Sequence, residues 1–473
     1  MLISRCIPLF VASLIALGTS LAQDATHRPP NVIIIFTDDQ GYQDLGSFGA
    51  PKIKTPHLDQ MAKEGRRFTS FYSANSVCSP SRAALLTGCY PTRVNVPGVL
   101  FPRHREGLNP DETTIADMVK SSGYATACIG KWHLGHLPPL LPTFHGFDQY
   151  YGIPYSNDMK IDPTMALSES INLREGMTVE KLRSDEPSKN WVPILKDTEV
   201  IEYPADQTTL TKRYTEHAIQ FIETNKDKPF FLYMPHTMPH IPLAATPEFR
   251  GKSAGGFYGD TIEEIDWSVG QVLDTLRKHQ LQKNTWVIYA SDNGPWKLKN
   301  GHGGSALPLR GYKFSTYEGG MRVPCIMWWP GKIPSDSVCD EVASTIDLLP
   351  TIAEFTGAQA TQERIIDGKN IAPLVLGKEG AKSPHEAYYY YKNRRLESVR
   401  SGKWKLRRQA PKKNEPNAPR VELYDLNADI SETTNLADKH PELVAKLLAG
   451  MDTFDKKRLA DADARAIARK SAA

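Results

Sequence analysis

Residues 78–88 read Cys-Ser-Pro-Ser-Arg-Ala-Ala-Leu-Leu-Thr-Gly, and they place a thiol at the mouth of a short helix. Ser79 has the side chain of an N-cap, and Pro80 is pre-set for the first helical position. Arg82, Ala83, Ala84, Leu85 and Leu86 continue the helix, and Gly88 suits its C-terminal stop. Cys78 therefore sits where backbone N–H groups and the helix dipole favour an anion. Arg82, one turn on, adds a fixed positive charge. A cysteine in such a place is a nucleophile or the precursor of one.

Two further segments carry acidic groups. An apolar run ends in Thr37-Asp38-Asp39-Gln40-Gly41, and another ends in Ser291-Asp292-Asn293-Gly294-Pro295. Adjacent carboxylates repel unless a cation or solvent separates them. Asp38, Asp39, Asp292 and the amide of Asn293 make an all-oxygen ligand set, suited to calcium or magnesium rather than zinc. Cationic and imidazole groups follow other runs: Lys131 and His133 in Gly130-Lys131-Trp132-His133, His240 in His236-Thr237-Met238-Pro239-His240, and Lys313 in Leu309-Arg310-Gly311-Tyr312-Lys313. A lone lysine or histidine is an ordinary surface or core residue. Repetition of this placement along one sheet edge makes a shared site the better reading.

The elements that must hold these groups are short, continuously apolar runs. They lie at 32–36, 125–129, 230–234, 286–290 and 323–328, with amphipathic helical segments at 56–65, 113–121, 210–224 and 261–279. Continuous rather than alternating hydrophobicity predicts strands covered on both faces, as in a parallel α/β sheet. In such sheets ligands gather beyond the carboxyl ends of the strands. Residues 158–207 read as a long irregular surface excursion. Past about residue 383 the texture changes. Segments 387–391, 397–400, 404–407 and 421–425 read as a small antiparallel sheet, 411–419 as a loop or hairpin tip, and 440–459 as a closing helix. The domains are expected at 1–22 (signal peptide), 23–380 (catalytic α/β domain) and 381–473 (small C-terminal unit and tail).

The segment from Cys78 to Gly88 matches the sulfatase signature Cys-x-Pro-Ser-Arg-x-x-x-Leu-Thr-Gly at every fixed position. Taken with the other segments, the chain from about Asn31 to Leu436 resembles the formylglycine-dependent (type I) sulfatases, closest to the arylsulfatase A and N-acetylgalactosamine-6-sulfatase types. Trp404-Lys405-Leu406 and Leu423-Tyr424-Asp425-Leu426 are similar to that family's terminal domain. The resemblance implies an alkaline-phosphatase-like, mostly parallel central sheet flanked by helices, with a small C-terminal antiparallel sheet plus helix. It also implies that a maturation enzyme converts Cys78 to formylglycine (3-oxoalanine). Asp38, Asp39, Asp292 and Asn293 would then ligate a divalent metal (Ca2+, with Mg2+ possible), and residue 78 would complete its shell. Arg82 would hold the formylglycine hydroxyl, and Lys131 and Lys313 would clamp the sulfate. Ser156, in Ile153-Pro154-Tyr155-Ser156-Asn157, would contact it. His240 would protonate the leaving oxygen, and His133 would take the second proton of the hydrated aldehyde, splitting one hard hydrolysis into two steps. The expected substrates are sulfated carbohydrates and aryl sulfates. A phosphodiesterase or phosphonate monoester hydrolase of the same superfamily is the alternative, and a non-catalytic glycan-binding protein is a more distant one.

Whole-chain properties agree. A formal charge of +3 over 473 residues is too small to argue for nucleic acid or an acidic membrane surface. Arg5, the apolar run 7–17 and Ser20-Leu21-Ala22 read as a secretory signal peptide, with Gln23 the first mature residue and Cys6 removed with it. That run is too short for a comfortable membrane span. A secreted or periplasmic enzyme follows. The absence of any Asn-x-Ser/Thr acceptor favours a bacterial source. Cys89, Cys128, Cys325 and Cys339 are too few for a disulfide framework, and Trp296 and His302 are candidates for a sugar subsite.

Overall fold

The computed structural model describes residues 28–184, 191–297, 301–360, 364–409 and 420–472. The signal-peptide segment and the 411–419 loop lie outside them. Five strands form the parallel centre of an eleven-stranded sheet: Thr285–Ser291, Asn31–Thr37, Phe230–Pro235, Ala125–Ile129 and Gln149–Gly152, in that spatial order. The first four are buried along their whole length. That is why their sequences are apolar without alternation: helices cover both faces. Helices Leu210–Thr224, Gly256–Lys278 and Pro56–Glu64 pack on one another, and Cys78–Thr87, Ile115–Lys120 and Leu348–Thr356 form a second group. Phe355 of the second group meets Trp286 of the sheet edge to face, with ring centres 5.0 Å apart.

Four expectations are corrected. The run at 323–328 forms a strand, Cys325–Trp328, but it pairs antiparallel with Thr285–Ser291. A strand buried on both faces looks apolar in either direction, so periodicity is blind to this. The stretch 158–207 is not irregular: Leu167–Leu173, Ile194–Lys196 and Glu199–Tyr203 extend the sheet beyond Gln149–Gly152. Leu167–Leu173 has no fully buried residue, as befits an edge strand, so its polar sequence hides it. The helix expected from Thr261 begins earlier, at Gly256. Ser79 is not an N-cap: the helix starts at Cys78 after an extended Val77, and Ser79 Oγ instead accepts a hydrogen bond from Leu100 N (3.1 Å). Gly88 does stop that helix in the left-handed conformation (φ 68°).

The C-terminal strands Tyr388–Lys392, Arg395–Ser401, Trp404–Arg408 and Val421–Asp425 form an antiparallel sheet in sequence order, and helix Pro441–Ala472 packs on it. Its core merges with residues of the larger layer. Tyr72 and Tyr90 pack among Tyr388, Tyr390 and Tyr391, with Leu447 and Met451 behind them. Cys78, Cys89, Cys128, Cys325 and Cys339 are buried free thiols. Among the described residues no helix is long and apolar enough to cross a membrane.

Candidate active site

The carboxyl ends of the central strands deliver the polar groups to one place. Asn31–Thr37 runs straight into Asp38 and Asp39, and its neighbour Thr285–Ser291 runs into Asp292 and Asn293. Asp292 N donates to Thr37 O (2.9 Å) and Asp39 N donates to Asp292 Oδ1 (3.1 Å), locking the two strand ends together. Asp39 takes a left-handed backbone (φ 64°), a strained choice for a residue with a Cβ. On the other side, Ala125–Ile129 passes through Gly130 into Lys131. A Cβ at Gly130 would lie 1.9 Å from Pro235 O, and φ is +135°, so only glycine lets the chain pass.

Cations neutralise the carboxylates. Lys131 Nζ pairs with Asp38 Oδ2, and Lys313 Nζ lies 2.7 Å from Asp39 Oδ2. Arg82 Nη2 donates to Asp292 Oδ2 (2.8 Å) and Asp38 Oδ2 (3.2 Å), while Nη1 donates to Lys131 O (2.9 Å). Arg82 is thus spent on two carboxylates and a carbonyl. Burial penalises ionised Asp38, but Lys131, His240, Arg82 and Lys313 outweigh it and hold this carboxyl far below its usual range. Asp39 and Asp292 go the other way: burial raises both, and Asp38 raises them further.

The two histidines are wired differently. His133 is left-handed (φ 59°), and its Nε2 lies 2.8 Å from Leu100 O. A carbonyl only accepts, so Nε2 carries the proton and Nδ1 keeps a lone pair, with no partner among the described residues. His240 Nδ1 lies 2.6 Å from Ile241 O and 3.0 Å from Asn157 Oδ1, so Nδ1 is the protonated nitrogen there. Its Nε2 faces Asp39 Oδ2 at 3.7 Å. Burial, reinforced by Lys131 for His133 and by Lys313 for His240, pushes both imidazoles well below the ordinary range. Ser156 joins the cluster. Its Oγ accepts from Lys131 Nζ (3.1 Å) and lies 3.3 Å from the His240 ring nitrogens.

Cys78 opens its helix beneath this cluster, only 2% exposed. Burial drives its thiol up to about 11, against Lys131 and Lys313 and with help from Asp38 and Asp292. As encoded it is a protonated, poor nucleophile. The donor set fits a hard divalent cation. Asp38 Oδ1 and Asn293 Oδ1 are buried with no hydrogen-bond partner among the described residues, and Asp39 and Asp292 stay raised even with Lys313 and Arg82 beside them. Ligand atoms of Asp38, Asp39 and His240 lie within 4.8 Å of one another, so the His240 imidazole, expected as the acid, borders the same cluster.

Two residues escaped the sequence reading. Asn157 orients His240 and is itself held by Pro242 O (3.0 Å) and Gln207 Oε1 (3.0 Å); its only signal was adjacency to Ser156. Leu100 holds His133 through a carbonyl, which leaves no mark on side-chain identity. The candidate His302 sits edge-on to Phe257, with centres 6.5 Å apart, whereas Trp296 lies over His240, 5.5 Å away.

The sulfatase family profile matches residues 30–358, well over half of the chain. The chain belongs to the sulfatase family. A second profile, described as N-sulphoglucosamine sulphohydrolase, C-terminal, matches residues 312–457 of this sulfatase. Bovine (Bos taurus) arylsulfatase A is 37% identical, covering 91% of this chain and 88% of the relative. N-acetylgalactosamine-6-sulfatase of Mus musculus is 37% identical over 80% of this chain and 72% of its own. The crystal structure of Ps i-CgsB in complex with k-i-k-neocarrahexaose superposes with a TM-score of 0.77 at 28% identity, covering 90% of this sulfatase and 93% of that chain. The enzyme is a sulfuric ester hydrolase of arylsulfatase type with an alkaline-phosphatase-like fold.

Proposed function

We propose that this sulfatase acts after export on sulfate esters of carbohydrates, and also on aryl sulfates, using residue 78 as formylglycine beside a divalent cation, calcium before magnesium. The observation that carries the reading is Cys78 itself. A thiol pushed up to about 11 among two lysines and three carboxylates is the wrong nucleophile in a site otherwise built for an anion. Asp38, Asp39, Asp292 and Asn293 would hold the cation next to residue 78, where it would polarise the sulfuryl oxygens and favour an ionised nucleophile. The hydrated aldehyde supplies two hydroxyls at a position where the encoded residue supplies one sulfur.

The chain's own groups do the rest. Lys131 and Lys313 leave their carboxylates in part to take sulfate oxygens, offsetting repulsion between an anionic ester and an anionic attacker. Incoming negative charge beside His240 favours its protonated form, so that Nε2 can deliver a proton to the departing alcohol oxygen. Asn157 and Ile241 O keep that nitrogen aimed. The Nδ1 of His133, unpartnered among the described residues, would be the base that takes the remaining hydroxyl proton at residue 78, so that the aldehyde re-forms as the C–O bond to sulfate breaks and sulfate departs. Ser156 steadies Lys131 and His240 together. The carbohydrate reading draws on a relative named N-acetylgalactosamine-6-sulfatase and on the neocarrahexaose complex of Ps i-CgsB.

The test pairs mass spectrometry with kinetics. Protein made with a formylglycine-generating enzyme should show the peptide spanning residue 78 with its CH2SH replaced by an aldehyde, and activity should track the converted fraction. An active enzyme that retains an unmodified thiol defeats the proposal. On matched aryl sulfate, phosphate monoester and phosphodiester substrates kcat/KM should be greatest for the sulfate, and a strong phosphodiester preference would point to the alternative chemistry.

A further inference from the structure

Two aromatic rings stand at this site without a part in the chemistry above. Trp296 follows the Asp292–Asn293 strand end, two residues after Gly294, whose backbone presses so close that a Cβ would lie 1.9 Å from Gly319 O. The indole is only partly buried. Its ring centre lies 5.5 Å from that of His240, 4.4 Å from Lys313 Nζ and 5.8 Å from that of Phe314. Phe314 is 41% exposed and left-handed (φ 72°). A bulky side chain in that conformation is strained, and such strain persists only where the surroundings over-determine it. Here Phe314 N donates to Ser76 O (3.1 Å), two residues before Cys78, and Lys313 N donates to Pro295 O (3.0 Å). Backbone bonds thus tie both rings to the segments that carry the nucleophile position and a metal-ligand pair. An exposed phenyl group gains nothing for the core from being held this way.

We propose that Trp296 and Phe314 form the platform on which the six-membered ring of the leaving alcohol rests. The inference rests on the sulfatase reading and deepens it by naming the feature the site selects beyond sulfate: a flat apolar face, as on one side of a pyranose or either side of an aryl ring. The geometry gives the reason. Lys313 holds the sulfate from one side of Trp296, and His240 must reach the bridging oxygen from beside the same indole. The first ring after that oxygen therefore falls next to the exposed aromatic surface, where stacking and C–H contacts favour it. The rival explanation is that Trp296 merely supports Lys313 through a cation–π contact.

The two accounts separate in a binding experiment on protein that cannot turn over. The Cys78→Ala enzyme is titrated by calorimetry with p-nitrophenyl sulfate and with inorganic sulfate, which carries the anion and no ring. Adding Trp296→Ala or Phe314→Ala should weaken the aryl sulfate about tenfold while sulfate changes by no more than about twofold. Trp296→Phe, which keeps a ring, should recover most of the loss and guards against a poorly folded alanine variant. Equal weakening of both ligands, or none of either, overturns the platform. Turnover of p-nitrophenyl sulfate by the mature wild-type enzyme is measured alongside. Its absence would count against the sulfatase reading and leave the ring-selectivity result to be judged on binding alone.

Discussion

Lys405→Met should uncouple the C-terminal sheet from the loop that carries Lys313. Lys405 is buried, with Nζ 2.9 Å from Glu318 Oε1 and 2.9 Å from Glu432 Oε1, the second a charge contact without hydrogen-bond geometry. Glu318 has other support: Arg322 Nη1 at 3.4 Å and Tyr390 Oη at 3.1 Å. Burial opposes its ionisation, yet Lys405, Arg322 and Arg400 hold it at about 2. Glu432 is poorer. Its Oε2 accepts from Glu318 N (2.7 Å), and burial together with the Glu318 charge raises it against Lys405. Methionine keeps the volume of lysine and removes the charge, so the variant leaves Glu432 buried beside a like charge. Removing one partner of such a buried group costs about 3–5 kcal/mol. The loss should appear as a lower urea midpoint with an unchanged slope, followed by coincident fluorescence and circular dichroism. Because Glu318 opens the short helix Glu318–Met321, five residues after Lys313, KM for sulfate esters should rise as well. Adding Glu432→Gln should recover about 1–3 kcal/mol, a coupling that distant residues would not show. If Lys405→Met costs less than about 1 kcal/mol, or if Glu432→Gln is equally harmful in both backgrounds, the reasoning about this network is wrong.

Other consequences are more local. Cys78→Ala should abolish turnover while moving the thermal midpoint little, because only one small buried group is lost; a substantial residual kcat would exclude residue 78 as the nucleophile position. Chelation should remove activity and lower the thermal midpoint, and calcium should restore both; an enzyme indifferent to chelator would refute the cation assigned to Asp38, Asp39, Asp292 and Asn293. Gly130→Ala should destabilise by about 1–3 kcal/mol, and by displacing Lys131 it should depress kcat/KM more than the stability loss explains, which paired urea and kinetic measurements can separate. Asp266 accepts from His57 N (3.2 Å) and Leu58 N (2.7 Å) at the start of helix Pro56–Glu64, and burial raises its carboxyl to about 7. The native state then binds this proton more tightly than the unfolded chain does. Stability from this group is present below the unfolded value near 4 and is lost as pH rises through about 7, by at most about 4 kcal/mol. Asp266→Asn should flatten that slope when urea midpoints are compared across the window; an unchanged slope would assign the pH dependence elsewhere.

Much of this enzyme was legible along the chain, and the reason is local. Strands buried on both faces must be continuously apolar, so 32–36, 125–129, 230–234 and 286–290 announced themselves, and Asp38, Lys131 and Asp292 follow three of them within two residues, while His240 comes six residues after the fourth. Cys78, Arg82 and Gly88 belong to one helix, whose C-terminal stop requires only the left-handed tolerance of glycine. What the chain could not state was anything set by a partner distant in sequence. Ser79 looked like a cap until Leu100 N claimed its hydroxyl. The edge strand Leu167–Leu173 could not be distinguished from loop, because an edge strand needs no apolar pattern, and the interior strands Ile194–Lys196 and Glu199–Tyr203 are too short to show one. Arg82 could be read as positive charge near a thiol, but its assignment to Asp38 and Asp292 depends on two strand ends meeting in space. The same holds for Asn157, for the Leu100 carbonyl and for the two rings beside His240. Residue types and local spacing determined which chemistry was available. The tertiary structure decided which charges pair, which imidazole nitrogen is left without a partner among the described residues and which rings stand beside His240, because those depend on distances between segments that the chain order leaves open.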